Sequence, residues 1–174
     1  MRKIFNAVMI LLIPVLFIVS CSSGDSDTPQ GNTSARQTSS STRPAFIAND
    51  LEGNIHTLDQ YAGKALILNF WGTWCPPCRR ELPDLKKIYA EYAPRGLEII
   101  GLAINDHPDK VRSFAKQLGL DWVMLIANRE SVAAYRIGTG VPVSIFIDRN
   151  GNEVGRAIGA RNYEFFKAQV EKII

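Results

Sequence analysis

The 174-residue chain is poor in the residues that hold metals and staple small folds: it has three cysteines and two histidines. A structural zinc site needs four ligands, and Cys75 and Cys78 could draw only on His56 and His107, at no finger-like spacing. No metal is expected, and both histidines are read as ordinary polar residues. Covalent haem attachment needs a histidine directly after the second cysteine, and Arg79 stands there. A strong excess of one charge is also missing. The net charge is +3, and residues 1–20 carry Arg2, Lys3 and no acid, so the remainder holds 18 basic against 17 acidic residues, or +1. Such a balance leaves no electrostatic footprint for a polyanion, which argues against nucleic acid as a partner. Nor does any apolar run reach the ~20 residues of a spanning helix.

What the N-terminus does have is an export pattern. Arg2 and Lys3 precede an apolar run from Ile4 to Val19, broken only by Asn6 and Pro14. The run ends Ile18-Val19-Ser20-Cys21, which resembles the lipobox of bacterial lipoproteins. That resemblance implies a signal peptide over residues 1–20 and lipid on Cys21; the alternative is an uncleaved, short membrane anchor. Either tethers the chain on the extracytoplasmic face of a membrane. From Ser22 to Arg43 the only apolar residue is Ala35. A stretch so polar cannot offset its ordering entropy, so residues 21–43 are expected to be a disordered tether. Its reach is roughly 25 Å, enough slack for a domain to reorient over a membrane-bound partner.

Residues 44–174 carry the pattern of one folded domain. Phe46 to Asp50 and Asn54 to Leu58 read as a hairpin about Glu52-Gly53. Ala65 to Trp71 and Leu97 to Ala103 are near-continuous apolar runs, as in strands buried on both faces. Leu82, Leu85, Ile88, Tyr89 and Tyr92 recur at helical spacing from about Pro77, with Pro83 inside to kink the helix. Val111, Phe114, Ala115 and Leu118 predict a second helix, stopped at Gly119. A shorter strand over Trp122 to Ile126 follows, then a helical turn through Ser131 to Tyr135. Val143 to Ile147 and Glu153 to Ile158 flank the turn Asp148-Arg149-Asn150-Gly151, and Asn162 can cap a last helix. The order predicts an α/β domain with a central mixed sheet: parallel strands in the middle and antiparallel ones at the hairpins.

Cys75-Pro76-Pro77-Cys78 sits where the strongest strand turns into the first helix. Two cysteines three apart there can close a small disulfide ring, and the helix N-terminus puts free N–H groups and positive potential beside the first sulfur. That lowers the Cys75 thiol pKa and makes it the accessible, reactive thiolate, with Cys78 as the deeper, resolving thiol. With Cys21 assigned to lipid, these two are the remaining pair, and the ring is too small to matter as a staple. Redox exchange is the better reason for it. Pro76 and Pro77 have no N–H to offer the sulfur, leaving that of Cys78 as the main donor. Weak thiolate stabilisation favours a reducing couple.

The chain resembles the thioredoxin superfamily, in particular its exported, membrane-tethered TlpA/ResA type of the redoxin (AhpC/TSA) branch. The anchors are Asn69-Phe70-Trp71-Gly72-Thr73-Trp74-Cys75-Pro76-Pro77-Cys78 and, far downstream, Gly140-Val141-Pro142. Asp50-Leu51-Glu52-Gly53-Asn54 with Leu58 and Tyr61-Ala62-Gly63-Lys64 looks like the N-terminal hairpin extension of that branch. The resemblance implies a thioredoxin-like fold, a cis Pro142 facing the disulfide, and a backbone at Val141 that pairs with an extended substrate segment. Trp74, beside the nucleophile, is expected to cover part of the surface where substrate docks, and Trp71 to pack in the core. Thioredoxin carries a buried aspartate six positions before the nucleophile, where this chain has Asn69. TlpA/ResA-like proteins have a glutamate three positions after the second cysteine, here Glu81, which shares a helix face with Cys78 and would relay its proton.

The implied activity is a cofactor-free thiol–disulfide oxidoreductase, acting as a monomer. Its partners would be protein disulfides, apocytochrome c among them, and a membrane thiol carrier as electron donor. Two rivals remain. A thiol peroxidase would share the N-terminal extension, but its Pro-x-x-x-Thr-x-x-Cys context is absent. A non-catalytic binding module would keep the fold without the chemistry, and an intact pair of cysteines argues against it.

Overall fold

A computed structural model describes residues 47–174. The signal sequence at 1–20, the lipidation at Cys21 and the tether over 21–43 lie outside the described residues.

Seven strands form one sheet in the order β2-β1-β5-β4-β3-β6-β7. At its centre β3 (Ala65–Trp71) pairs in parallel with β4 (Leu97–Ala103), and β4 with β5 (Val123–Ile126). All seven β3 residues are buried, because helices or loops cover both sheet faces. On the other side of β3, β6 (Val143–Ile147) and the edge strand β7 (Glu153–Ile158) run antiparallel. The β1 (Ile47–Asp50) and β2 (Ile55–Thr57) hairpin extends the opposite edge by pairing β1 antiparallel with β5.

Both hairpins turn on the same five-residue device. Asp50 accepts from the backbone N–H of Glu52 (2.9 Å) and Asn54 (2.8 Å). Asp148 does the same for Asn150 (2.9 Å) and Asn152 (2.8 Å). Gly53 at φ 90° and Gly151 at φ 86° take the left-handed position that a side chain would resist.

One sheet face packs against α1 (Pro76–Tyr92), α2 (Pro108–Leu118) and α4 (Tyr163–Ile173). Leu82, Leu85, Ile88 and Tyr92 of α1, and Phe166, Val170 and Ile173 of α4, are the buried stripes their spacing predicts. Gly119 ends α2 in the left-handed conformation, and the Asn162 side chain caps α4 by accepting from the N–H of Phe165 (3.1 Å). The other face is closed by Leu58, Tyr61, Tyr135 and Ile137. The short helix α3 (Arg129–Ala134) begins two residues before the expected Ser131, because Asn128 and Ser131 form a reciprocal cap. Trp71 is fully buried and meets Phe114 of α2 at 5.8 Å between ring centroids. Among the described residues no helix is long and apolar enough to cross a membrane.

Candidate active site

The site forms where β3 ends and α1 begins. Cys75 is the N-cap of α1, with extended backbone, and its Sγ accepts the N–H of Cys78 at 3.2 Å. That sulfur therefore occupies the place an Asp or Ser oxygen takes in an ordinary cap, with Pro76 and Pro77 contributing no competing donors. Cys75 and Cys78 are joined as a disulfide with their Cα atoms 5.3 Å apart. Across from it, β6 pairs with β3 in the register Phe70–Val143, which brings the preceding Val141-Pro142 to the same end of the sheet. The Val141–Pro142 peptide bond is cis, and the Val141 carbonyl oxygen lies 3.5 Å from Cys75 Sγ.

One expectation needs correcting. Cys75 was to be the accessible sulfur, yet in the disulfide it is 2% exposed, little more than Cys78 at 0%. Two contacts account for it, one local and one distant: the bond to Cys78 ties the sulfur to the helix, and the Val141 carbonyl lies against it from 66 residues away. Its sequence neighbours Trp74 and Pro76 are both exposed, Trp74 by 54%. In the disulfide form the sulfur thus belongs to the buried cluster under α1, at the edge where exposed residues flank it.

The turn before Cys75 is held by contacts that the sequence pattern did not disclose. Asp106, in the loop after β4, accepts from the Thr73 N–H (2.6 Å), the Thr73 hydroxyl (3.0 Å) and the His107 N–H (3.0 Å). The Trp74 indole N–H donates to the Ile104 carbonyl in the same loop (3.0 Å). Gly72 is required for that pose, since a Cβ there would fall 2.6 Å from the Trp74 indole nitrogen. His107 caps α2, and His56 bridges Tyr61 and Asp50, so both histidines have structural partners away from the cysteines.

Behind the disulfide, Glu81 is 2% exposed, an unusual place for a carboxyl. Asn69 Nδ2 donates to it (2.9 Å), as does the backbone N–H of Arg161 (3.2 Å). Asn69 Nδ2 also lies 3.0 Å from Ser144 Oγ on β6. Burial pushes the Glu81 pKa up to about 7, and the hydrogen bonds from Asn69 and Arg161 only partly oppose it. Asn69 is not merely a lost aspartate: it is the donor that orients the carboxyl. The sequence marked Glu81 but offered no signal for Ser144 or Arg161, which arrive from far along the chain.

The comparisons agree with this geometry. Residues 40–154 match the AhpC/TSA family. The thiol-disulfide oxidoreductase ResA of Geobacillus thermodenitrificans is 38% identical over 134 residues, 76% of each chain. ResA of Bacillus anthracis is 36% identical over 131 residues, 75% of each. Among solved structures, a thiol:disulfide interchange protein of the thioredoxin family from Chlorobium tepidum is 33% identical, with a TM-score of 0.69 over 75% of this chain and 94% of that one. A secreted disulfide oxidoreductase of Mycobacterium tuberculosis is 25% identical, with a TM-score of 0.64 over 73% and 95%. The chain belongs to the AhpC/TSA family, among its thioredoxin-like thiol–disulfide oxidoreductases.

Proposed function

We propose that this oxidoreductase works outside the cytoplasm as a reductant of protein disulfides, tethered by lipid on Cys21. The observation that carries the chemistry is the Cys75 sulfur at the N-cap of α1, bonded to Cys78 and receiving its N–H. In the dithiol form the Cys75 thiolate attacks a substrate disulfide, making a mixed disulfide and releasing one substrate thiolate. The Cys78 thiol gives its proton to the Glu81 carboxylate and attacks Cys75 Sγ. The second substrate thiolate leaves, and the enzyme is left as the disulfide. Two electrons pass from the cysteine pair to the substrate, with no cofactor between them.

A carboxyl poised at about 7 can hold or release a proton near neutral pH, which supports the role given to Glu81. The Val141 backbone is the site for pairing with an extended substrate segment at Pro142, flanked by the exposed Trp74 and Pro76. Cytochrome c maturation, with apocytochrome c as substrate, and a membrane thiol carrier that restores the dithiol are the partners this reading favours. A single donor to the Cys75 sulfur supports a reducing rather than an oxidising couple.

The deciding experiment is trapping. Cys78→Ser should accumulate a covalent adduct with substrate through Cys75, visible on non-reducing gels and removed by dithiothreitol, while Cys75→Ser should give none. After reduction, Cys75 should alkylate faster than Cys78. Equal alkylation, or an adduct through Cys78, would overturn the assignment. Glu81→Gln should flatten the pH dependence of exchange, and an unchanged profile would remove its proton-relay role.

A further inference from the structure

Two grooves flank the disulfide, and they share a chemistry. One, of about 380 Å³, is lined by Pro76, Arg79, Arg80, Phe114, Gln117 and Leu118 between α1 and α2. The other, of about 500 Å³, has Trp74, Ile104, Val132 and Val141 as apolar lining and Arg129 as its charge. Each is lined by a residue next to the reacting cysteine: Pro76 follows Cys75 in the chain, and the Val141 oxygen is 3.5 Å from Cys75 Sγ. Among the described residues neither groove has a carboxylate in its wall. The groove beside the β1–β2 turn is the reverse, with Asp50 and Glu52 and, among the described residues, no cation.

The three arginines are exposed and form no ion pair with any described carboxylate. Arg79 instead stacks its guanidinium over Phe114 at 5.3 Å from the ring centroid. Arg79 and Arg80 also stand close to the positive end of α1, where a cation gains nothing from the helix and an acid would. The helix dipole does not account for either, and beyond the stacking of Arg79 on Phe114 neither makes an ion pair that the fold would need.

We propose that the disulfide face docks an extended, acidic polypeptide segment carrying apolar anchors. Arg79 and Arg80 bind carboxylates on one side of Cys75 and Arg129 does so on the other. Phe114 and Trp74 take the apolar side chains between them. This rests on the reading that the cysteine pair exchanges with protein disulfides. A polypeptide fits better than a membrane surface, because the cations line concave grooves around a sulfur that reacts with cysteine.

The test uses the full, reduced chain and three synthetic peptides with one internal disulfide and identical apolar residues, flanked by Asp, Asn or Lys. At low salt the Asp peptide should exchange about tenfold or more faster than the Lys peptide, within the range of charge steering. Added salt should bring the ratio toward one. In the Arg79→Glu/Arg80→Glu/Arg129→Glu variant the ratio should invert. Taking the ratio within one protein cancels any effect of the arginines on the thiols. Cysteine-free versions of the peptides, followed by fluorescence anisotropy, should bind in the same order. Equal rates and affinities in the parent, or an Asp preference untouched by charge reversal, would overturn the proposal. So would phosphatidylglycerol vesicles, rather than the Asp peptide, losing binding in the variant. Failure of every peptide and of bis(2-hydroxyethyl) disulfide to react would instead remove the exchange reading, with anisotropy still deciding the docking.

Discussion

Burying Glu81 should leave a signature in the stability of the whole domain. An ordinary glutamate ionises near 4.5, and burial raises this one to about 7. Between those values the folded chain keeps a proton that the unfolded chain has lost. Raising the pH through that window therefore favours unfolding. Below about 4.5 both states are protonated and no penalty exists; above about 7 both are ionised and the penalty is complete. The rise from 4.5 to about 7, at about 1.4 kcal/mol per pH unit, makes that penalty about 3 kcal/mol. A Glu81→Gln protein cannot titrate there. It carries only a constant offset, from presenting an amide to the Asn69 and Arg161 donors. Urea unfolding of parent and variant, both in the disulfide form, should be followed by circular dichroism from pH 4.5 to 8. The parent should lose about 3 kcal/mol relative to the variant across that range, most of it between pH 5 and 7. Parallel curves would mean that Glu81 ionises as if in water, and the reasoning from its burial would fail.

Two further outcomes follow from close contacts around the site. Asp106→Asn keeps the shape but replaces a carboxylate that accepts from Thr73 N–H, Thr73 Oγ1 and His107 N–H. A loss of about 1–3 kcal/mol is expected, with faster hydrogen exchange at the Thr73 amide; unchanged exchange there would show that the clamp is idle. Gly101→Ala puts a Cβ 2.6 Å from Met124 Sδ and 3.1 Å from Trp71 Nε1, in a buried layer. It should cost about 1–3 kcal/mol of overpacking in urea unfolding, and a neutral result would show that the layer yields freely.

Much of this molecule is written in short-range pattern. β3 and β4 run over the residues their apolar character marks, because a strand buried on both faces leaves no polar position to confuse its ends. The cap at Cys75 and the disulfide to Cys78 follow from three-residue spacing at a strand-to-helix turn, and the two Asp-led turns from their own five residues. These interactions close within a few residues, so sequence order nearly dictates them.

What only the tertiary structure decided are properties of places where distant segments meet. The Asp106–Thr73 clamp joins residues 33 apart, the Asn69–Ser144 contact 75 apart, and the Arg161 N–H reaches Glu81 across 80. The covering of Cys75 by Val141 spans 66 residues, and it reversed the exposure that the local pattern suggested. Spacing could nominate Glu81, but its raised pKa comes from desolvation by its surroundings, and no single stretch of chain encodes that.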